Sequence, residues 1–272
     1  MRVVLIVLGF LIALFFLGWL GIKIKSKPFP PYSQKSGPFE TVPLPAGLPG
    51  PVERFYRQVY GDELPVITSA VISGRATLQM KPGFPKLPAR FRFIHNAGKD
   101  YRHYIEATFF GMPLMKVNER YVDGSSLFEL PFGVFENDPN ITQGAVLGLW
   151  AESVWFPSIF VTDARVHWAP VDEYTALLYV PFGDQEEDFV VRFDPETGLI
   201  RYMEAMRFRD AGDQAKILWI TEALQGETTP GTGLSAVGSA TWFDTGKPWA
   251  VFTLEDVVFN VDVSQYIRQK GP

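Results

Sequence analysis

The chain has no cysteine. That excludes disulfide-stapled scaffolds, thiol enzymes, iron–sulfur proteins and zinc ribbons, all of which need thiols. It does not choose a compartment, because reducing and oxidising surroundings both tolerate a thiol-free chain. Histidine is scarce too, with only His95, His103 and His167. No Gly-x-Ser-x-Gly element occurs. The stretch Gly233-Leu234-Ser235-Ala236-Val237-Gly238 has the wrong spacing, and Gly231 and Gly233 read as loop. No glycine-rich phosphate loop follows a strand and strands do not alternate with helices, which argues against a doubly wound or eight-fold α/β fold. No period of 20–50 residues recurs, so propellers and solenoids are unsupported.

What is present is apolar and aromatic. The 272 residues include 23 Phe, 10 Tyr and 7 Trp, enough to bury a large core and to exclude disorder for the bulk of the chain. Residues 3–22 carry no charge. As a helix they would span about 30 Å, the hydrocarbon thickness of a bilayer. A cleaved signal would show a shorter apolar run and a small-x-small site, and Trp19-Leu20-Gly21-Ile22-Lys23 offers none. Residues 1–25 therefore read as a single-pass membrane anchor. Arg2 precedes the span while Lys23, Lys25 and Lys27 lie after it, so a count of basic residues alone places the C-terminal side in the cytoplasm.

Residues 26–50 read as a linker. Proline recurs at 28, 30, 31, 38, 43, 45 and 49, a density that favours extended, semi-rigid chain. Its simplest task would be to hold the folded part away from the membrane. Residues 51–272 have the size of one domain. The first 50 residues have net charge +4 and the remainder −9. An acidic domain repels phosphate backbones, so nucleic acid is not an expected partner, whereas the basic flanks of the span suit anionic lipid headgroups.

The domain reads as mainly β. A short amphipathic helix is expected over 52–60, from Val52, Phe55, Tyr56 and Val59. Alternation then predicts strands over 66–80, 89–95, 101–110, 113–122, 126–131, 165–171, 174–182, 188–194, 199–209, 215–224, 237–243 and 248–262. Asn96-Ala97-Gly98-Lys99 and Asp194-Pro195-Glu196-Thr197-Gly198 supply turn chemistry. The acidic run Asp184, Glu186, Glu187 and Asp188 reads as a solvated hairpin tip. One helix interrupts the strands over 140–156. Asn140 and Gln143 fit a capping box and Pro157 ends it. Its apolar residues fall on nearly every face, so it is expected to be buried, inside a curved sheet, as plug or lid.

Candidate chemistry is thin. His95 and His103 flank the 96–99 turn and lie either on opposite faces or on one face as diagonal neighbours, according to register. Only the second arrangement lets them share a ligand. A metal would also want His167 and a distant carboxylate, so no metal and no cofactor are expected. Glu152 is the informative charge, because a carboxylate on an apolar helix needs a partner or becomes neutral. Arg207, Arg165 and His167 are its candidate partners.

Four stretches carry a resemblance. They are Leu48-Pro49-Gly50-Pro51-Val52-Glu53-Arg54-Phe55-Tyr56-Arg57; Leu149-Trp150-Ala151-Glu152-Ser153-Val154-Trp155-Phe156-Pro157; Val166-His167-Trp168-Ala169-Pro170-Val171-Asp172; and Phe193-Asp194 through Gly198-Leu199-Ile200 to Glu204-Ala205-Met206-Arg207-Phe208. In order and spacing they resemble a bacterial family catalogued as domain of unknown function 6544, often with an N-terminal membrane segment. The resemblance implies a strongly curved antiparallel sheet, or half-open barrel, wrapped on a helix as in lipoprotein-carrier folds. It also implies an extracytoplasmic domain, against the lysine count.

Three readings compete. The first is a membrane-tethered binding module for a lipid or another apolar ligand, without catalysis. Glu152, Arg207, Trp150, Trp155, His167 and Trp168 are its candidate ligand-binding residues. The same aromatics could equally fill a dry core. The second is a structural or assembly partner of a membrane complex. The third is a hydrolase using Glu152 with His167.

Overall fold

The computed structural model describes residues 2–79, 81, 83–229, 232–269 and 271. Met80 and Gly231, assigned above to a strand end and a loop, lie outside them. The chain begins with α1 (Arg2–Lys23), an apolar helix long enough to cross a bilayer. Its side chains are exposed, and it meets the domain only near its end. There the Phe110 N–H donates to the Gly21 carbonyl at 2.9 Å. A side chain at Gly21 would collide with the Phe109 ring, so glycine permits the approach.

Residues 24–40 are extended, as their prolines require, but they lie docked on the sheet. The Ser26 and Thr108 hydroxyls share a hydrogen bond of 2.7 Å. The buried Phe29 ring lies beneath the Arg90 and Arg92 guanidinium groups, at 4.4 and 5.5 Å. Arg92 donates to the Pro30 carbonyl. Tyr32 packs edge-on against Tyr266 at 5.0 Å, and Gly37 N–H donates to the Phe259 carbonyl at 3.0 Å. Buried aromatics and paired carbonyls make this segment a strap. A free spacer would leave them in water.

The strap leads into β1 (Thr41–Pro43), α2 (Gly50–Tyr60) and β2 (Glu63–Pro65), with β1 and β2 paired antiparallel. Next come β3 (Ser69–Leu78), β4 (Leu87–Asn96), β5 (Asp100–Phe109), β6 (Met112–Val122), β7 (Ser125–Leu130) and β8 (Gly133–Glu136). A helical stretch is next: α3 (Pro139–Glu152), a 3-10 turn (Ser153–Trp155) and α4 (Ile159–Thr162). The chain then runs through β9 (His167–Pro170), β10 (Thr175–Phe182), β11 (Gln185–Phe193), β12 (Ile200–Arg207), β13 (Ile217–Thr228), β14 (Ser235–Trp242) and β15 (Lys247–Phe259).

Strands β3 to β15 form one antiparallel sheet of thirteen strands, ordered β8-β7-β6-β5-β4-β3-β15-β14-β13-β12-β11-β10-β9. The first six walk outward from β3 by hairpins, and the last seven walk back to close on β3 through β15. One chain segment must therefore travel from edge β8 to edge β9, and α3 lies on it. That journey crosses the inner face of the sheet, which is why α3 is apolar all round. The two edges do not pair with each other among the described residues, so the sheet is a half-open barrel. The mainly β, strongly curved antiparallel fold around a buried helix is as the sequence implied.

Inner positions alternate with outer ones. Phe91, Phe93 and His95 of β4 face inward, and the first two cluster with Trp155 and Phe252 at ring separations of 4.4 to 6.3 Å. On the outer face, Tyr32, Val71, Ile94 and Val258 make a second, smaller core under the strap and the C-terminal residues. Central strands are therefore buried on both faces.

The cap of α3 differs from expectation. Asp138 is the cap, its carboxylate accepting from Asn140 and Ile141 N–H, because Pro139 takes the first helical position, where no N–H is needed. Asn140 instead donates to the Ala211 and Asp213 carbonyls. Gln143 is tied to β12, donating to the Met206 carbonyl and accepting from Phe208 N–H.

Candidate functional site

Between α3 and the inner face of the sheet lies a cavity of about 1100 Å³. Its walls are mostly apolar, with Phe93, Ile105, Val117, Phe128, Trp155 and Phe252 among them. Two glycines one helical turn apart set the spacing of α3 from the sheet. A Cβ at Gly144 would sit 2.9 Å from Arg207 Nε, and one at Gly148 would sit 3.1 Å from the Tyr101 hydroxyl. A larger residue at 144 would displace the Arg207 guanidinium, and one at 148 would press on the Tyr101 hydroxyl.

Glu152 ends α3 and lines the cavity. Its carboxyl bridges two imidazoles, with Oε2 at 2.9 Å from His95 Nε2 and Oε1 at 2.5 Å from His103 Nδ1. The hairpin register makes this possible. His95 pairs with Tyr101 and Phe93 with His103, so the two histidines are diagonal neighbours on the inner face. Burial pushes the Glu152 carboxyl up to about 7, with the His95 hydrogen bond pulling the other way. Burial holds His103 down at about 4, so its ring is neutral at neutral pH. His95 Nδ1 is buried without a partner, which fits a ring whose proton sits on Nε2 and is donated to Glu152. Glu152, when protonated, then donates to the bare Nδ1 of His103. Glu119 on β6, opposite His103, and Tyr101 complete the polar corner.

A family model described as a family of unknown function, DUF6544, matches residues 38–254. The chain belongs to this family. No curated protein matches the DUF6544 chain. Solved structures are similar to it at low identity. A LolA superfamily protein from Nitrosomonas europaea is 9% identical over 74% of this chain and 89% of its own, with a TM-score of 0.44. A Vibrio parahaemolyticus domain, described as outer membrane lipoprotein-sorting, is 11% identical over 73% and 88%, with a TM-score of 0.43. A DUF1329 family protein from Desulfovibrio piger is 13% identical over 80% and 97%, with a TM-score of 0.42.

The structure brings together three of the six residues singled out from the sequence of this DUF6544 chain. Glu152, Trp155 and Arg207 line the cavity. Arg207 does not pair with Glu152. Its guanidinium lies 4.5 Å over the Trp219 ring. Trp150 is buried, 6.4 Å from Phe160 and beside Gly98, whose positive φ of 69° makes the β4–β5 turn. Trp168 donates from its indole to the Phe160 carbonyl at 3.0 Å. Both indoles therefore fasten the segment after α3. His167 faces outward on β9, stacked on Tyr179 at 4.7 Å and 3.5 Å from Glu186. The expected pairing of Glu152 with His167 is not formed, because alternation along β9 sends Trp168 inward and His167 out. Arg165 binds Asp163 and the Gly98 carbonyl.

Among the described residues no group of three metal-ligating side chains is arranged around a common point. The sequence reading missed His95 and His103 as the partners of Glu152, although the 96–99 turn held the signal. It missed Glu119 because the β5–β6 register shifts at Ala107/Thr108, which turn chemistry alone does not reveal.

Proposed function

We propose that the inner cavity binds a lipid or another apolar ligand and that α1 holds the domain at a membrane. The observation that carries the reading is an unfilled apolar space of about 1100 Å³ inside the curved sheet. Barrels of this kind are filled by side chains unless they hold something, and ligand pockets are typically about 300–1,000 Å³. The mixture of apolar wall and one polar corner suits an amphiphile. The exposed apolar surface of α1 suits a bilayer.

The test uses the full chain in bacterial membranes, with a photo-crosslinking amino acid at Thr221 or at Ile220. These are adjacent on β13, one lining the cavity and one on the opposite face. Irradiation at 221 is expected to give intact-mass adducts of lipid mass that are missing at 220. Equal labelling at both positions, or none at 221, overturns the reading.

A further inference from the structure

Arg207 is the exception among the arginines. Every other described arginine from Arg54 to Arg268 donates to a protein oxygen. The Arg207 guanidinium has no hydrogen bond or ion pair among the described residues. Its Nε is buried and unpartnered. It is held from below by two indoles, 4.5 Å over Trp219 and 5.8 Å from Trp242. It is held from the side by α3, where Gly144 leaves it room. The Trp219 indole N–H is likewise buried without an acceptor.

The acceptors of this wall are engaged elsewhere. Glu152 binds the two histidines, Glu119 accepts from the Tyr101 hydroxyl, Glu222 accepts from Arg201, and Asp244 accepts from Arg209. The result is a cation fixed in orientation, with unused donors, on the wall of a mostly apolar cavity. A buried donor left without an acceptor is costly, and a guanidinium fork matches the paired oxygens of a carboxylate or phosphate.

Resting on the reading of the cavity as a ligand site, we infer that Arg207 is its headgroup site and that the ligand is an anionic amphiphile. The carboxylate or phosphate oxygens pair with the guanidinium fork. The acyl chain runs along the apolar wall past Trp155 and Phe252. The Trp219 and Trp242 rings keep the guanidinium pointed at the ligand, and they supply cation–π attraction that does not compete for its N–H donors.

The experiment titrates the full chain in detergent micelles with three brominated probes and reads tryptophan quenching. A Trp19→Phe background silences the indole of α1. The probes are dibromostearate, a dibromostearoyl lysophosphatidic acid and neutral dibromostearyl alcohol. The wild-type domain is expected to bind at least one anion roughly 10- to 100-fold more tightly than the alcohol, the range for a charge-assisted pair. Which anion wins separates a fatty acid from a phospholipid source. Arg207→Met should abolish that preference, while Arg207→Lys keeps the charge and most of the preference.

Equal affinity for acid and alcohol in the wild type overturns the headgroup inference while leaving the cavity reading standing. No saturable quenching by any probe overturns both. If Arg207→Met does not fold, as judged by circular dichroism, the wild-type preference and its retention in Arg207→Lys still decide the matter.

Discussion

A carboxyl group enclosed by two imidazoles makes Glu152 sensitive to substitution in a graded way. Glu152→Ala strands two buried rings, and a loss of about 2–4 kcal/mol is expected in chemical denaturation. Glu152→Gln keeps one donor and one acceptor and should cost about half as much. The pH dependence has a definite sign. Glu152 titrates higher in the folded protein than in the unfolded chain, so its stabilising contribution is full below about 4.5 and is lost as pH rises through about 7. His103, lowered to about 4, contributes stability that grows from about pH 4 to 6.5. Subtracting the Glu152→Gln denaturation curve isolates the first term, and the stability difference should shrink between pH 5 and 8. A flat or rising difference would mean that Glu152 is ionised throughout. The lone charge on an apolar helix marked Glu152 in the sequence. Its partners were open to two registers, and Arg207, chosen by charge, faces the cavity instead.

Elements were legible where they are long. The strands of eight or more residues follow their alternation to within a few positions. The short strands β1, β2 and β8 carry too few alternations to show, whereas the four-residue β9 falls within the strand expected over 165–171. The strap was read as a spacer because proline density reports extended backbone and says nothing about what lies beneath it. Phe29 is the residue that fastens it. Phe29→Ala should expose the Lys25-Ser26 bond to trypsin many times faster, with little change in the melting of the sheet. Unchanged proteolysis would show that the strap is held without that ring. Between strands, Gly74 stands where β3 presses on β15 at the irregularity around Leu254. A Cβ there would collide with the Thr253 carbonyl, which is backbone and cannot step aside. Gly74→Ala should cost about 2–3 kcal/mol in the same denaturation assay.

At the scale of the molecule, the join of β3 to β15 was invisible in the sequence. It pairs residues about 180 positions apart, and no local pattern announces it. Yet that join makes the two hairpin series one sheet and sends α3 across its inner face. It creates the cavity, so occupancy should stabilise the whole domain. Ligand at 100 times its dissociation constant adds about 2.7 kcal/mol, a rise of several degrees in melting temperature for a domain of this size. A ligand that binds but leaves the melting curve unmoved would bind the folded and unfolded domain alike, and so would not occupy a site that folding creates. The docked strap has a different consequence. Only four residues separate the Gly21 contact from the Ser26 contact, about 18 Å of chain at full stretch. With α1 seated in a bilayer, the sheet stands at one height and travels sideways in two dimensions, without the vertical swing of a ball on a leash. Encounters with any other membrane-bound molecule would then be governed by lateral density in the membrane, and a partner standing taller would have to come down to meet it.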